Sequence, residues 1–163
     1  MTEPDSVLNL FDAVHAAVQK IGVDATIRAV ERLSTQDEDY FNPEFQIVMK
    51  AVCDVYEVDL NELVYGKSKK EGRRISALEC SAYIVCDIMQ IDRKMACKFL
   101  NKHFTIVSRY ITAARFYDAN HPQEKHKVNK LKQVQEIVFS HPYIIEKYPN
   151  IEITPYGKET HNT

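Results

Sequence analysis

The sequence predicts an all-α protein. Only four glycines interrupt 163 residues, runs with strand-like alternation are scarce, and apolar residues recur at helical spacing along most of the chain. Apolar residues make up 45% of the total. That is enough for a real core, and the length suits one domain or one domain with an extension.

The elements follow in order. From about Ser6 to Lys20, Val7, Leu10, Phe11, Val14 and Val18 fall on one helical face, and Asp5 or Ser6 can cap the start. Gly22 ends this helix. A second, from about Asp24 to Leu33, sets Ile27, Val30 and Leu33 on one side, so a helical hairpin is expected. Ser34 to Asn42 (STQDEDYFN) is polar and acidic and reads as a linker. After Pro43 a stripe of Phe45, Val48, Val52, Val55 and Tyr56 predicts a third helix. Asp59 can cap a short helix that Gly66 ends.

Beyond a basic loop, a long helix is expected from about Ile75 to Gln90, with Ile75, Leu78, Ala82, Val85 and Met89 keeping the apolar period. Asp92 can cap the next helix, Arg93 to Asn101, in which Met95, Ala96 and Phe99 face inward. A helix from about Thr105 to Ala119 follows, with Val107, Tyr110, Ile111, Ala114 and Tyr117 buried, and Asn120-His121-Pro122 stops it. Val128, Leu131, Val134 (or Gln135) and Val138 predict a helix over Glu124 to Phe139. Tyr143 to Tyr148 adds one more turn, and the remainder reads as a tail. This gives three parts: an N-terminal helical extension over 1–42, a domain over 43–120, and a C-terminal helix and tail over 121–163.

Net charge is −2, and the balance hides a strong asymmetry. Residues 1–65 carry 4 basic and 13 acidic groups, whereas residues 66–132 carry 15 basic and 6 acidic ones. A basic middle suggests a polyanion-binding segment. Five of its cations, Lys67, Lys69, Lys70, Arg73 and Arg74, crowd into a glycine-containing loop that could grip phosphates with strong salt dependence.

The stretch Lys94 to Tyr117 sharpens this reading. It looks like two helices joined by a tight turn at Leu100 to Phe104, the layout of a helix-turn-helix reader of double-stranded DNA. Asn101, Lys102, His103, Thr105, Ser108 and Arg109 gather where the second helix begins. A helix N-terminus favours phosphate, and Lys102 and Asn101 carry the donors to read guanine or adenine edges. Phe104 either packs under the turn, the preferred reading, or meets a thymine methyl.

From about Phe45 to Tyr117 the order of features resembles the C-terminal DNA-binding domain of the bacterial replication initiator DnaA. That family's signature follows a phenylalanine and reads roughly G-x-R-D-H-T-T-V. Here Phe99 precedes LNKHFTIV, with Lys102 at the arginine, Thr105 at the first threonine and Val107 at the valine. Val58, Asp59, Leu60 and Leu63 resemble the segment ahead of the basic loop. The departures are Leu100 for the glycine, His103 for the aspartate, Phe104 for the histidine and Ile106 for the second threonine. Glu79 stands where the family's long helix carries an arginine. The resemblance implies a DnaA C-terminal-domain-like, or Trp-repressor-like, helical bundle with helical extensions at both ends. It also implies a DNA-facing surface serving bacterial replication or transcription control, with a different DNA site.

Other classes find little support. No G-x-x-x-x-G-K-[ST] phosphate loop occurs, so no ATPase module and no cofactor are expected. The six histidines lack ligand spacing, and no catalytic or metal-binding constellation is expected. Cys53, Cys80, Cys86 and Cys97 form no C-x-x-C pair and read as buried apolar residues. No apolar run approaches a membrane span, and the acidic N-terminus lacks a signal-peptide layout, so a cytoplasmic protein is expected. The alternative to DNA is a helical interaction module that binds a second copy or another protein. In that case the acidic N-terminal part would cover the basic middle.

Overall fold

The computed structural model describes residues 3–34, 42–66 and 71–151. Every regular element among them is a helix. Lys67, Lys69, Lys70, most of the expected acidic linker and the C-terminal tail lie outside the described residues.

Helices α1 (Glu3–Ile21) and α2 (Val23–Ser34) form the expected hairpin around Gly22. Gly22 has φ +86°, a left-handed value that glycine adopts without a Cβ penalty. The Thr26 N–H and hydroxyl both donate to the Gly22 carbonyl, at 3.0 and 2.8 Å, and close the turn. Asp5 and Ser6, the expected cap residues, lie inside α1. The hairpin rests on α4 (Leu60–Tyr65), where Lys20 Nζ lies 3.4 Å from Asp59 Oδ2.

The core starts at α3 (Pro43–Tyr56), which the Asn42 side chain caps by accepting from the Phe45 N–H at 3.2 Å. Phe45, Val48, Val52 and Tyr56 of α3 are buried, as the stripe predicted. Phe45 stacks on Phe99 with ring centroids 4.0 Å apart. Asp59 caps α4 by accepting from the N–H groups of Asn61 and Glu62, and Gly66 ends it.

Helix α5 (Glu71–Ala82) begins four residues before the expected start, so Arg73 and Arg74 are helical and not in a loop. Its continuation, Tyr83–Ile88, is π-helical. The Met89 N–H donates to the Ile84 carbonyl, five residues back, at 2.9 Å. Gln90 then turns left-handed at φ 59° and ends the helix.

Helices α6 (Arg93–Leu100) and α7 (Phe104–Arg115) are joined by Asn101, Lys102 and His103, and Asp92 caps α6. Helix α7 packs over α5 and the π-helical segment. It ends at Arg115, short of the expected Ala119 and ahead of the Asn-His-Pro stop. Tyr117 is nonetheless buried, while Phe116 is 74% exposed.

Helix α8 (Lys125–Phe139) lies along α3, and α9 (Pro142–Lys147) follows it. Val128, Leu131, Val134, Val138 and Ile144 join the same core as Phe45, Leu78 and Val107. The C-terminal helices are therefore part of one packed body with residues 43–120. Lys130 Nζ donates to the Val55 carbonyl at 3.0 Å. Lys147 pairs with the buried Glu44 carboxylate, which clamps α9 to the start of α3. Burying a side chain such as Leu78 or Leu131 stabilises by about 1.5–3 kcal/mol. Among the described residues no helix is long and apolar enough to cross a membrane.

Candidate nucleic-acid interface

The α6–α7 turn is built by backbone geometry that the sequence supports locally. Leu100, the last residue of α6, is wholly buried. Asn101 takes the left-handed position after it, at φ 51° and ψ 46°. Its N–H and that of Lys102 donate to the Cys97 carbonyl, Lys102 at 3.1 Å, so α6 closes with an asparagine where glycine is commonest. His103 then caps α7. Its Nδ1 accepts from the Thr105 N–H at 3.3 Å, and its carbonyl accepts from Ile106 and Val107. An imidazole here performs the task that a carboxylate or hydroxyl usually performs.

Helix α7 has two unlike faces. Val107, Ile111 and Ala114 are buried. Thr105, Arg109 and Thr112 are exposed, and their spacing places them on one side. Thr112 was not among the expected contacts, although it lies one i, i+7 step from Thr105. Phe104 is 48% exposed, so the expectation that it packs under the turn is corrected: it stands at the first helical position with half its surface in solvent.

The other expected residues divide. Ser108 keeps its Oγ buried and unpartnered among the described residues, so it does not present a hydroxyl at the surface. Asn101 is half-buried and spends its backbone on the α6 cap. Arg73 Nη1 lies 3.6 Å from Glu57 Oε2. Arg74 is partly a structural residue. Its Nε donates to the Glu62 and Leu63 carbonyls, at 3.1 and 2.9 Å, and so satisfies the C-terminal end of α4. Lys102, His103, Thr105 and Arg109 come together at the turn and the start of α7.

Electrostatics adds a residue that the sequence reading missed. Burial holds the Lys102 ammonium below the usual lysine range, and the neighbouring positive charges of Arg74 and Arg28 push in the same direction. Arg28 belongs to α2, so the hairpin brings a cation towards the turn. Tyr110 senses both Arg74 and Arg109, although burial is the larger influence and pushes its phenol up. A half-buried lysine that feels the charges of two guanidinium groups is a local excess of positive charge that an anion would relieve. No sequence spacing linked Arg28 to Lys102, because the two meet only through the hairpin's placement.

A scan against protein-family models, a search of curated proteins and a search of solved structures each find no match for the chain. The class that the structure defines is an all-helical protein.

Proposed function

We propose that α6 and α7 form a helix-turn-helix of the DnaA C-terminal type, and that the protein binds double-stranded DNA with full or partial sequence specificity. The observation that carries this reading is the exposed polar face of α7, set beside Lys102 on a helix whose opposite face is fixed in the core. In this reading α7 enters the major groove. Thr105, Arg109 and Thr112 meet base edges, while Lys102, Arg74 and Arg28 lie against the flanking backbone. Lys67, Lys69 and Lys70, next in the chain to α5, add phosphate contacts. Contacts of this kind position the protein, and the α7 side chains specify the sequence.

The test is fluorescence anisotropy of the full chain with a random duplex pool across a salt series. Binding at ~0.1 M salt is expected, with a steep linear fall of log affinity against log salt. Lys102→Ala and Arg28→Ala should each flatten that slope by roughly 0.9 if each neutralises one phosphate. Thr105→Val should instead change the sequences recovered by selection from random DNA. Absence of binding by the full chain, or a salt slope that neither lysine nor arginine replacement alters, refutes the proposal.

The second reading, an interaction module without DNA binding, draws on the apolar surface that α1 and α2 leave exposed. It predicts no anisotropy change with any duplex. A chain starting at residue 42 distinguishes a masked DNA surface from an absent one, since residues 42–151 retain the whole core cluster.

A further inference from the structure

Helices α1 and α2 carry more apolar surface than their own packing uses. Ala17, Val18 and Ile21 are half-buried, and Ala25 and Thr26 are buried, so the base of the hairpin is closed against the rest of the chain. Further out, Leu10, Phe11 and Val14 continue the stripe of Val18 at helical spacing. On α2, which packs against α1, Val23, Ile27 and Val30 fall on one side at helical spacing. These six residues are between 36% and 67% exposed. Together they offer roughly 600 Å² of apolar surface, the upper end of what a monomer shows in one patch.

Neither stretch of this chain outside the described residues matches that surface. Residues 35–41 (TQDEDYF) hold three carboxylates among seven residues. Residues 152–163 hold only Ile153 and Tyr156 as large apolar groups. A surface of two amphipathic helices is matched by another such pair, and the chain itself supplies one. Two copies would remove roughly 1,200 Å² of apolar area before any polar rim is counted, which reaches the lower bound of stable, specific interfaces.

We propose that a second copy of the chain covers this face, hairpin against hairpin, so that the protein is a two-fold dimer closed by a four-helix bundle. A two-fold axis uses the same patch on both copies and leaves no unsatisfied end. The proposal does not depend on DNA binding and is measured without DNA.

The experiment is sedimentation equilibrium of the full chain from about 0.1 to 100 μM, a range that spans weak to strong dimers. The expected mass is twice the 18.9 kDa monomer, falling to one copy on dilution. Phe11→Glu with Ile27→Glu should raise the dissociation constant about a hundredfold or more, with the unfolding midpoint of the monomer unchanged. Phe116→Glu, at an exposed position at the end of α7 and outside the hairpin, should leave the dimer intact. In the wild-type chain, hydrogen exchange of α1 and α2 should quicken on dilution, a readout that needs no variant to fold. A wild-type monomer across the whole range overturns the proposal. So does a dimer that survives the double replacement, or exchange in α1 and α2 that ignores concentration while the mass changes.

Discussion

Removing the Tyr117 hydroxyl should destabilise the protein through one buried carboxylate. Glu79 of α5 is buried, and the Tyr117 hydroxyl donates to its Oε2. The remaining cation is Lys127, whose Nζ lies 3.9 Å from that oxygen and 5.1 Å from the centre of the Tyr117 ring. Tyr117→Phe keeps the ring, its packing and its contact with Lys127, and removes the hydroxyl that donates to Glu79 and bonds with Ser76. A hydrogen bond to a charged group contributes about 1.5–3 kcal/mol, and a buried carboxylate left short of donors bears the full loss. With a urea m-value of about 2 kcal/mol/M for a chain of this size, the unfolding midpoint should fall by roughly 1 M. Glu79→Leu should also destabilise, because it takes away the acceptor of the buried Tyr117 hydroxyl. The double variant should lie closer to the wild type than the two single losses combined, with a coupling of about 1.5–3 kcal/mol. A third readout is alkaline. Burial, then the hydrogen bond to Glu79, pushes the Tyr117 phenol above its ordinary value of 10.0. The folded state therefore keeps a proton that the unfolded state releases, and stability is lost as pH rises past about 10. Tyr117→Phe should remove that part of the loss. A midpoint shift below ~0.2 M, or strictly additive single variants, would show that Glu79 does not depend on Tyr117.

Three further outcomes follow from the same structure. Burial raises the Cys80 thiol and pushes Cys86 up to about 12, so both stay protonated in the fold while the unfolded chain ionises near 9. Stability should thus be intact below pH 9 and fall above it by about 1.4 kcal/mol per pH unit for each such thiol; Cys86→Ala should remove one thiol's share of that loss, and an unchanged slope in urea titrations from pH 9 to 11 would refute it. His103→Ala removes the α7 cap and should cost about 1 kcal/mol, a Tm decrease of about 2–4 °C, whereas His103→Asn should restore most of it in the same thermal melts. Arg28→Ala should flatten the salt slope of DNA binding by roughly 0.9 without moving the unfolding midpoint; an unaffected slope would remove the hairpin from the DNA surface.

Much of the fold was legible because its punctuation is local. Gly22, Asp59, Gly66 and Asp92 end or begin helices where their chemistry dictates, and the apolar period chose the buried faces of α3, α5, α7 and α8, with Val55, Ile75 and Tyr110 at their half-buried margins. Tertiary packing decided the rest. Arg74 read as a loop cation, but α5 starts early enough to turn its guanidinium onto the α4 carbonyls. The π-helical segment leaves no period in YIVCDI, since a wider turn still buries Ile84, Val85 and Cys86. It also lets Asp87 accept from Arg115 Nε and Nη2 at 2.9 and 2.8 Å, which ties it to the last turn of α7. For α1 the period identified an apolar stripe. Period alone does not say what covers a stripe, and Leu10 and Phe11 remain exposed.

Under the proposed initiator-type reading, the same distinction bears on the positions that depart from that family's signature. Leu100 stands at the signature glycine, and Asn101 supplies the left-handed residue one place later. His103 stands at the aspartate and still accepts from the Thr105 N–H. Glu79 stands at the arginine of the long helix, buried between Tyr117 and Lys127 and turned away from solvent. Three of the departures thus carry backbone or core tasks, and each task is met by the residue present or by its neighbour. Phe104, half in solvent at the head of α7, also changes what the surface offers, placing an apolar ring where the signature has a histidine. Under the proposed DNA-binding reading, an exposed Phe104 beside Thr105, Arg109 and Thr112 offers a surface unlike the signature's, and so argues for a different target.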